Sequence, residues 1–415
     1  MPATGLCSEA PNTRHREHRL NAKEPGIALI AFLWVFVQAA PPGGDAFPGV
    51  LTFGTALPTS VPWLMRSKVA AVTLFFGILG ALSAPAASLK KDPPIPIKVV
   101  IVTMFEAGAD TGDRPGELQY WVERNHLDKI LPFPQAYHHL RMNHDGVLAV
   151  LTGMGTAKAA GSIMALGLDT RFDLRKAYWI VAGIAGVDPA HASLGSAAWA
   201  EWVVDGDLAY EIDAREIPAD WPTGFVPLGK SKPYEPPRTE DRGEMYHLSA
   251  ALTDWAFRLT EHVNLPDTPE MQKDRAAYAS ANARRPPFVL KGDTISSSTF
   301  FSGVKMSEWA NQWVKYHTGG QGNYVTTGME DTGTLSSLEM LAKAGRVDWN
   351  RILVLRTASD FDQPPPGMSA AENLARNAGR KYAGYLPALE SAWRVGNTVV
   401  QEITTHWNKY KSERP

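Results

Sequence analysis

The chain has 415 residues, with 41 Lys and Arg against 43 Asp and Glu and a formal net charge of −2. That balance suits an ordinary globular protein of one large domain or two smaller ones, and it leaves no basic footprint for a nucleic-acid partner. Cys7 is the sole cysteine, so neither a disulfide framework nor a cysteine metal site forms within one chain.

Residues 1–64 show no sustained periodicity and are expected to be an extended reading frame or a disordered leader. The apolar run at 26–37 is shorter than the roughly 20 residues that a membrane span needs. Met65-Arg66-Ser67-Lys68, an apolar stretch over 69–82 and the small-residue site Ala84-Pro85-Ala86 have the layout of a secretory signal peptide over 65–88. The alternative is a membrane anchor or buried helix over 69–82. The expectation is therefore a mature domain over 89–415, periplasmic or secreted.

After a stiff linker at 90–96, residues 97–102 read as a buried strand that delivers Glu106 beyond its end. Arg114 lies in the Gly/Asp-rich loop that follows, as a solvated arginine or an anion contact. Residues 146–151 are a second strand, Thr152-Gly153-Met154-Gly155-Thr156 a glycine turn, and 157–168 an alanine-rich helix. Strand, glycine turn and helix N-terminus make a cradle for an anion or hydroxyl, or only a close helix–sheet contact. Residues 176–181 are a third strand, and the glycines of 182–189 mark a tight turn or the close approach of a ligand. Asp205, Asp207, Glu211 and Asp213 follow a short strand; their spacing fits a solvated acidic loop and no metal motif.

Residues 217–242 are proline-rich and irregular. Residues 248–263 form an amphipathic helix with Leu252, Trp255, Ala256 and Leu259 on one face. Three stretches follow: Val289-Leu290-Lys291-Gly292-Asp293-Thr294, then Gly328-Met329-Glu330-Asp331, then an apolar run that leads to Arg356-Thr357-Ala358-Ser359-Asp360. A buried strand that ends in a carboxylate places chemistry in the crevice beyond an α/β sheet. On spacing alone, Glu330 and Asp360 read more simply as loop acids or helix caps. A proline-rich loop at 363–367 suits a lid or rim, and 385–410 a final helix. The alternation predicts one α/β domain, a three-layer αβα sandwich around a central mixed sheet.

Taken in order, Thr152-Gly153-Met154-Gly155, Gly183-Ile184-Ala185-Gly186, Leu194-Gly195-Ser196, Lys291-Gly292-Asp293, Gly328-Met329-Glu330 and Arg356-Thr357-Ala358-Ser359-Asp360 resemble the nucleoside phosphorylase/nucleosidase superfamily. More closely, the chain from about residue 97 onward resembles the purine nucleoside permease family, which shares that fold. The resemblance implies a nucleoside phosphorylase-like fold and a purine nucleoside as ligand. It implies no metal and no resident cofactor, with inorganic phosphate as a co-substrate if cleavage is phosphorolytic. It places Met329 and Glu330 at the ribose and Asp360, with Ser359, at the purine. Thr152 and Gly153 would contact substrate, Glu106 would be the water-activating acid and Arg114 the phosphate contact. Two positions depart from the nucleosidase pattern: Gly328 stands where a glutamate is found, and Ile295 where an aromatic follows Gly-Asp. Phe300 and Phe301 are then the candidates for stacking on the base.

The chemistry agrees with such a set. Breaking an N-glycosidic bond builds positive charge on the sugar, which a carboxylate at the ribose hydroxyls favours. A protonated carboxyl near the purine donates to the departing base. Three readings follow: an exported enzyme, a non-catalytic nucleoside-binding protein that serves uptake with or without a membrane transport partner, and an inert member of the fold. A homo-oligomer is compatible with each. Beyond Leu82 no apolar run approaches the roughly 20 residues of a spanning helix, so the chain builds no helical pore by itself.

Overall fold

The computed structural model describes residues 92–236, 244–378 and 382–415. The expected leader and signal peptide lie outside the described residues. Among the described residues, twelve strands form one mixed sheet. The first six are β1 (Val99–Thr103), β2 (Lys129–Leu131), β3 (Leu140–Met142), β4 (Val147–Leu151), β5 (Tyr178–Val187) and β6 (Ala197–Ala200). The others are β7 (Trp202–Asp205), β8 (Met245–His247), β9 (Val289–Lys291), β10 (Asp293–Ser296), β11 (Tyr324–Gly328) and β12 (Ile352–Phe361). The helices that matter here are α1 (Gln119–Arg124), α2 (Thr156–Leu168), α3 (Ala250–Thr260), α4 (Val304–His317), α5 (Asp331–Lys343), α6 (Ala370–Ala378) and α7 (Tyr385–Thr405).

The strands at the centre read as continuous apolar runs because both faces of the sheet are covered. Val100 and Val102 of β1 pack with Ile163 and Leu166 of α2 and Leu335 and Leu338 of α5. Val99 and Ile101, one residue out of phase, pack with Trp121 of α1, Leu252 of α3 and Val395 and Val399 of α7. A period of two along β1 therefore divides two cores, and the expected αβα layering is what the chain forms. In α3, Leu252 and Ala256 are buried while Trp255 and Leu259 pack at the margin. Ser249 caps that helix, accepting from the Leu252 N–H at 3.3 Å.

The two long strands set the frame. β5 and β12 pair in parallel, from Ile352 opposite Trp179 to Phe361 opposite Val187. On its other edge β5 has two partners in succession. β1 runs parallel to it as far as Val102 opposite Val181. β11 runs antiparallel to it, with Thr327 opposite Gly186. Thus β1 and β11 run towards each other along one edge of β5 and stop short of meeting, at Gly183. The carboxyl ends of both strands therefore face this gap, and open α/β sheets hold ligands outside the carboxyl ends of their strands.

Three expectations are corrected by the fold. Residues 182–187 continue β5 rather than form a turn. Their glycines serve close packing, since a Cβ at Gly183 would lie 2.6 Å from the Arg356 guanidinium and one at Gly186 2.9 Å from the Thr327 methyl. The expected final helix breaks at His406, and Trp407–Tyr410 is a separate turn. Asp207 is also no bare solvated acid: it accepts from the Ser297 hydroxyl at 2.6 Å and the Ser298 N–H at 2.7 Å.

The Lys291-Gly292-Asp293 stretch has a structural explanation. A Cβ at Gly292 would fall 2.3 Å from Val325. Asp293 is buried and accepts from Glu201 N (3.1 Å), Trp202 N (2.7 Å) and Asn323 N (2.6 Å), so it ties three chain segments at one end of the sheet. Asp293→Ala strands these three N–H groups and should cost about 3 kcal/mol of unfolding free energy, given the usual penalty for unsatisfied buried donors. Urea denaturation measures it; a loss below about 1 kcal/mol would show that water replaces the carboxylate.

Candidate functional site

The gap between β1 and β11 is filled by charge. Arg356, on β12 opposite Gly183, is 1% exposed. A buried guanidinium needs acceptors for its donors, and the fold delivers them from two segments. Asp331 takes Nε at 3.0 Å and Nη2 at 2.8 Å. Glu330 takes Nη2 at 3.2 Å, and the Ile184 carbonyl takes Nη1 at 3.1 Å. Asp331 opens α5, where the helix N-terminus also favours negative charge.

Glu117 is the third carboxyl of the group. It lies just ahead of α1 and is 6% exposed. Its oxygens accept from Met104 N at the end of β1 and from Ile184 N on β5, both at 2.7 Å. Burial pushes its pKa up to about 8; Arg356 opposes that shift and Glu330 adds to it. The Glu330 carboxyl is raised as well, by burial against the attraction of Arg356. Burial thus holds both Glu117 and Glu330 above the ordinary carboxyl range, although an arginine lies among them.

The glycine turn closes this group from the β4 side. Gly155 N donates to Glu330 Oε1 at 3.1 Å, and the Thr156 hydroxyl donates to the Met329 carbonyl at 3.4 Å. The Ser298 hydroxyl donates to Thr156 Oγ1 at 2.8 Å. Gly155 has φ of +94°, a conformation that favours glycine. Thr152 is buried and directs its hydroxyl to the carbonyls of Thr103 (3.3 Å) and Gly153 (3.1 Å). Met329 and Glu330 therefore meet the glycine turn at Gly155 and Thr156, with Met329 half-buried, while Thr152 and Gly153 lie at the start of that turn.

The remaining expected site residues lie apart from that cluster. Asp360 is four residues further along β12 and lines a cleft of about 310 Å³ with Tyr278, Asn373, Arg376 and Tyr382. Burial pushes its pKa up to about 6, against a 2.7 Å hydrogen bond donated by the Ser359 hydroxyl. The Ser359 hydroxyl is also 3.2 Å from the Ala185 carbonyl. Glu106 receives the N–H groups of Ala107, Gly116, Leu118 and Gln119, so its carboxylate organises the start of α1. Arg114 is exposed, with its guanidinium 5.0 Å over the Tyr385 ring. Phe301 is buried against Trp309, edge-on at 5.6 Å, in a cleft of about 490 Å³ near Ser297. Phe300 is 46% exposed.

The two departures in the motif acquire reasons. A Cβ on Gly328 would sit 2.4 Å from Asp331 Oδ2 and 2.8 Å from Arg356 Cζ. A glutamate there has no room, and Asp331 is the acid that meets the arginine. Ile295 is fully buried among Trp309, Trp313 and Tyr324. Sequence reasoning missed Glu117 and left Arg356 and Asp331 without roles. The available signal was an arginine inside an apolar strand, which demands buried acids nearby.

A mixed sheet whose opposed strand ends enclose a buried arginine and three carboxyls defines an α/β protein with a charge-filled crevice where the ends of β1 and β11 face each other. The profile of the purine nucleoside permease family matches residues 96–415. A purine nucleoside permease of Candida albicans is 34% identical over 320 residues, 76% of this chain and 77% of the relative. The chain belongs to the purine nucleoside permease family. Among solved structures, futalosine hydrolase of Helicobacter pylori aligns with a TM-score of 0.45 and 13% identity, over 74% of this chain and 98% of its own. A 5′-methylthioadenosine/S-adenosylhomocysteine nucleosidase from Neisseria meningitidis, in complex with methylthio-immucillin-A, aligns with 0.42 and 14%, over 74% and 99%.

The raised Glu117 pKa has a consequence for stability. The folded state holds this proton more tightly than the unfolded one, so the contribution is complete below about 4.5 and is lost as pH rises through about 8. Between those values the loss approaches about 1.4 kcal/mol per pH unit. Glu117→Gln, which keeps the shape without the titration, should flatten the fall in melting temperature between pH 5 and pH 9. Identical slopes in both proteins would place the titration elsewhere.

Proposed function

We propose that the chain binds purine nucleosides at this crevice and cleaves their N-glycosidic bond by phosphorolysis or hydrolysis. The observation that carries the reading is the buried Glu330–Arg356–Asp331–Glu117 group where β1 and β11 face each other. Glu330 presents a carboxyl at the mouth of the glycine turn, in position to accept from ribose hydroxyls and to favour positive charge on the sugar. Arg356 and Asp331 fix the orientation of that carboxyl. Asp360, with its proton held up to about pH 6, donates to the departing base. Glu117 takes the part of the acid beside the attacking water or phosphate, in place of Glu106, whose oxygens anchor α1. Export is part of the same proposal and rests on residues 65–88 alone.

A second reading, binding in the service of uptake, is favoured by the relatives' name and by Glu117, whose two oxygens are already occupied by backbone N–H groups. Among the described residues no helix is long and apolar enough to cross a membrane, so uptake on this reading needs a membrane partner.

Base release from inosine, adenosine and uridine, with and without phosphate, separates the readings. On the first, purine nucleosides release base, and the rate falls as pH rises through about 6 because Asp360 loses its proton. Asp360→Asn should slow cleavage by roughly 10²–10⁴, the usual worth of general acid catalysis. Glu330→Ala should weaken nucleoside binding, measured by calorimetry, by about 1–3 kcal/mol on either reading. Binding without base release leaves the second reading; absence of binding in the wild type removes both.

A further inference from the structure

The geometry points to a divalent-cation site formed by Asp110, His138 and His139, which takes a Zn²⁺-type ion and staples the β1–α1 loop to the edge of the sheet. One ligand atom from each residue lies within 4.8 Å of the others. The segments are distant in sequence: Asp110 belongs to the loop that carries Glu106 and Glu117, and the histidines immediately precede β3. Bound tetrahedrally at roughly 2.0–2.1 Å, such atoms lie about 3.4 Å apart. The required closure is within reach of two imidazoles that remain 24% and 34% exposed and can rotate.

The hydrogen bonds around the three residues supply the argument. His138 Nδ1 is 3.0 Å from the His139 carbonyl oxygen. A carbonyl only accepts, so Nδ1 carries hydrogen, and in the neutral ring the lone pair is on Nε2. That Nε2 faces Asp110 Oδ1 at 3.2 Å. Two lone pairs at this distance need a cation between them, either a proton or a metal. His139 Nε2 adds a third donor atom, 2.7 Å from Oδ2. Arg141 donates from Nε to the same Oδ2 at 2.7 Å. It leaves Oδ1 free and holds the plane of the carboxylate, as outer-shell donors do at metal sites, where the ligating histidine also gives its other N–H to a carbonyl. Imidazole and carboxylate together suit Zn²⁺ better than the oxygen-seeking Ca²⁺ or Mg²⁺. The exposed side of the histidines leaves a coordination position for water. The ion stiffens the loop whose far end holds Glu117 against Ile184.

The test is Co²⁺ titration of the full chain after EDTA treatment, followed by the visible absorption of tetrahedral cobalt and by displacement with Zn²⁺. One equivalent is expected, and Zn²⁺ should raise the melting temperature by a few degrees. Asp110→Asn and His138→Gln should each weaken Co²⁺ binding about tenfold or more and abolish the thermal shift. Circular dichroism in EDTA checks that both variants are folded, and His139→Gln substitutes for either that is not. Wild-type binding no tighter than that of the folded variants, or a thermal shift that persists in them, would overturn the site and leave a proton-bridged ion pair.

Discussion

The Arg356 guanidinium is the group on which the arrangement of the crevice depends. A cation 1% exposed would be prohibitive alone. It persists because Asp331 binds it through two nitrogens while Glu330 and the Ile184 carbonyl take the remaining directions. Those partners come from the end of β11, the start of α5 and the middle of β5. One charge therefore fixes the relative positions of two strands and a helix in the region where the sheet changes direction. The same requirement explains why β5 carries Gly183 and β11 ends in Gly328, since a side chain at either place would fall on the guanidinium.

The αβα architecture was legible in the sequence because the buried strands are apolar runs and the helices between them are amphipathic or alanine-rich. The contact of the glycine turn with the Met329-Glu330 stretch was also foreseeable, as the family resemblance sets both at the substrate. What the sequence concealed was topology. The glycines of 182–187 carry the local signature of a turn, yet they lie within a ten-residue strand whose neighbours approach too closely for side chains. Local pattern reports conformational permission, and here the constraint was supplied by Arg356 and Thr327, far along the chain.

The two acids of the segment between β1 and α1 differ for a related reason. Glu106 and Glu117 both sit between β1 and α1, and Glu106 follows the strand more directly. Their environments divide them: Glu106 accepts a fan of backbone N–H groups at a helix start, whereas Glu117 reaches the end of β1 and the middle of β5. Proximity in sequence to a strand end says little about which carboxyl faces inward. Burial does, and burial is set by the path of the loop between them.

The register of the two long strands also acts as a ruler. Arg356, which carries Glu330, lies opposite Gly183, and Asp360 lies opposite Gly186. Three residues of extended chain measure about 10 Å. A molecule that engages both acidic positions must be about that long and polar at each end. On the proposed function, a free sugar or a free base would reach only one of them, and the pairing of β5 with β12 sets the spacing between the two.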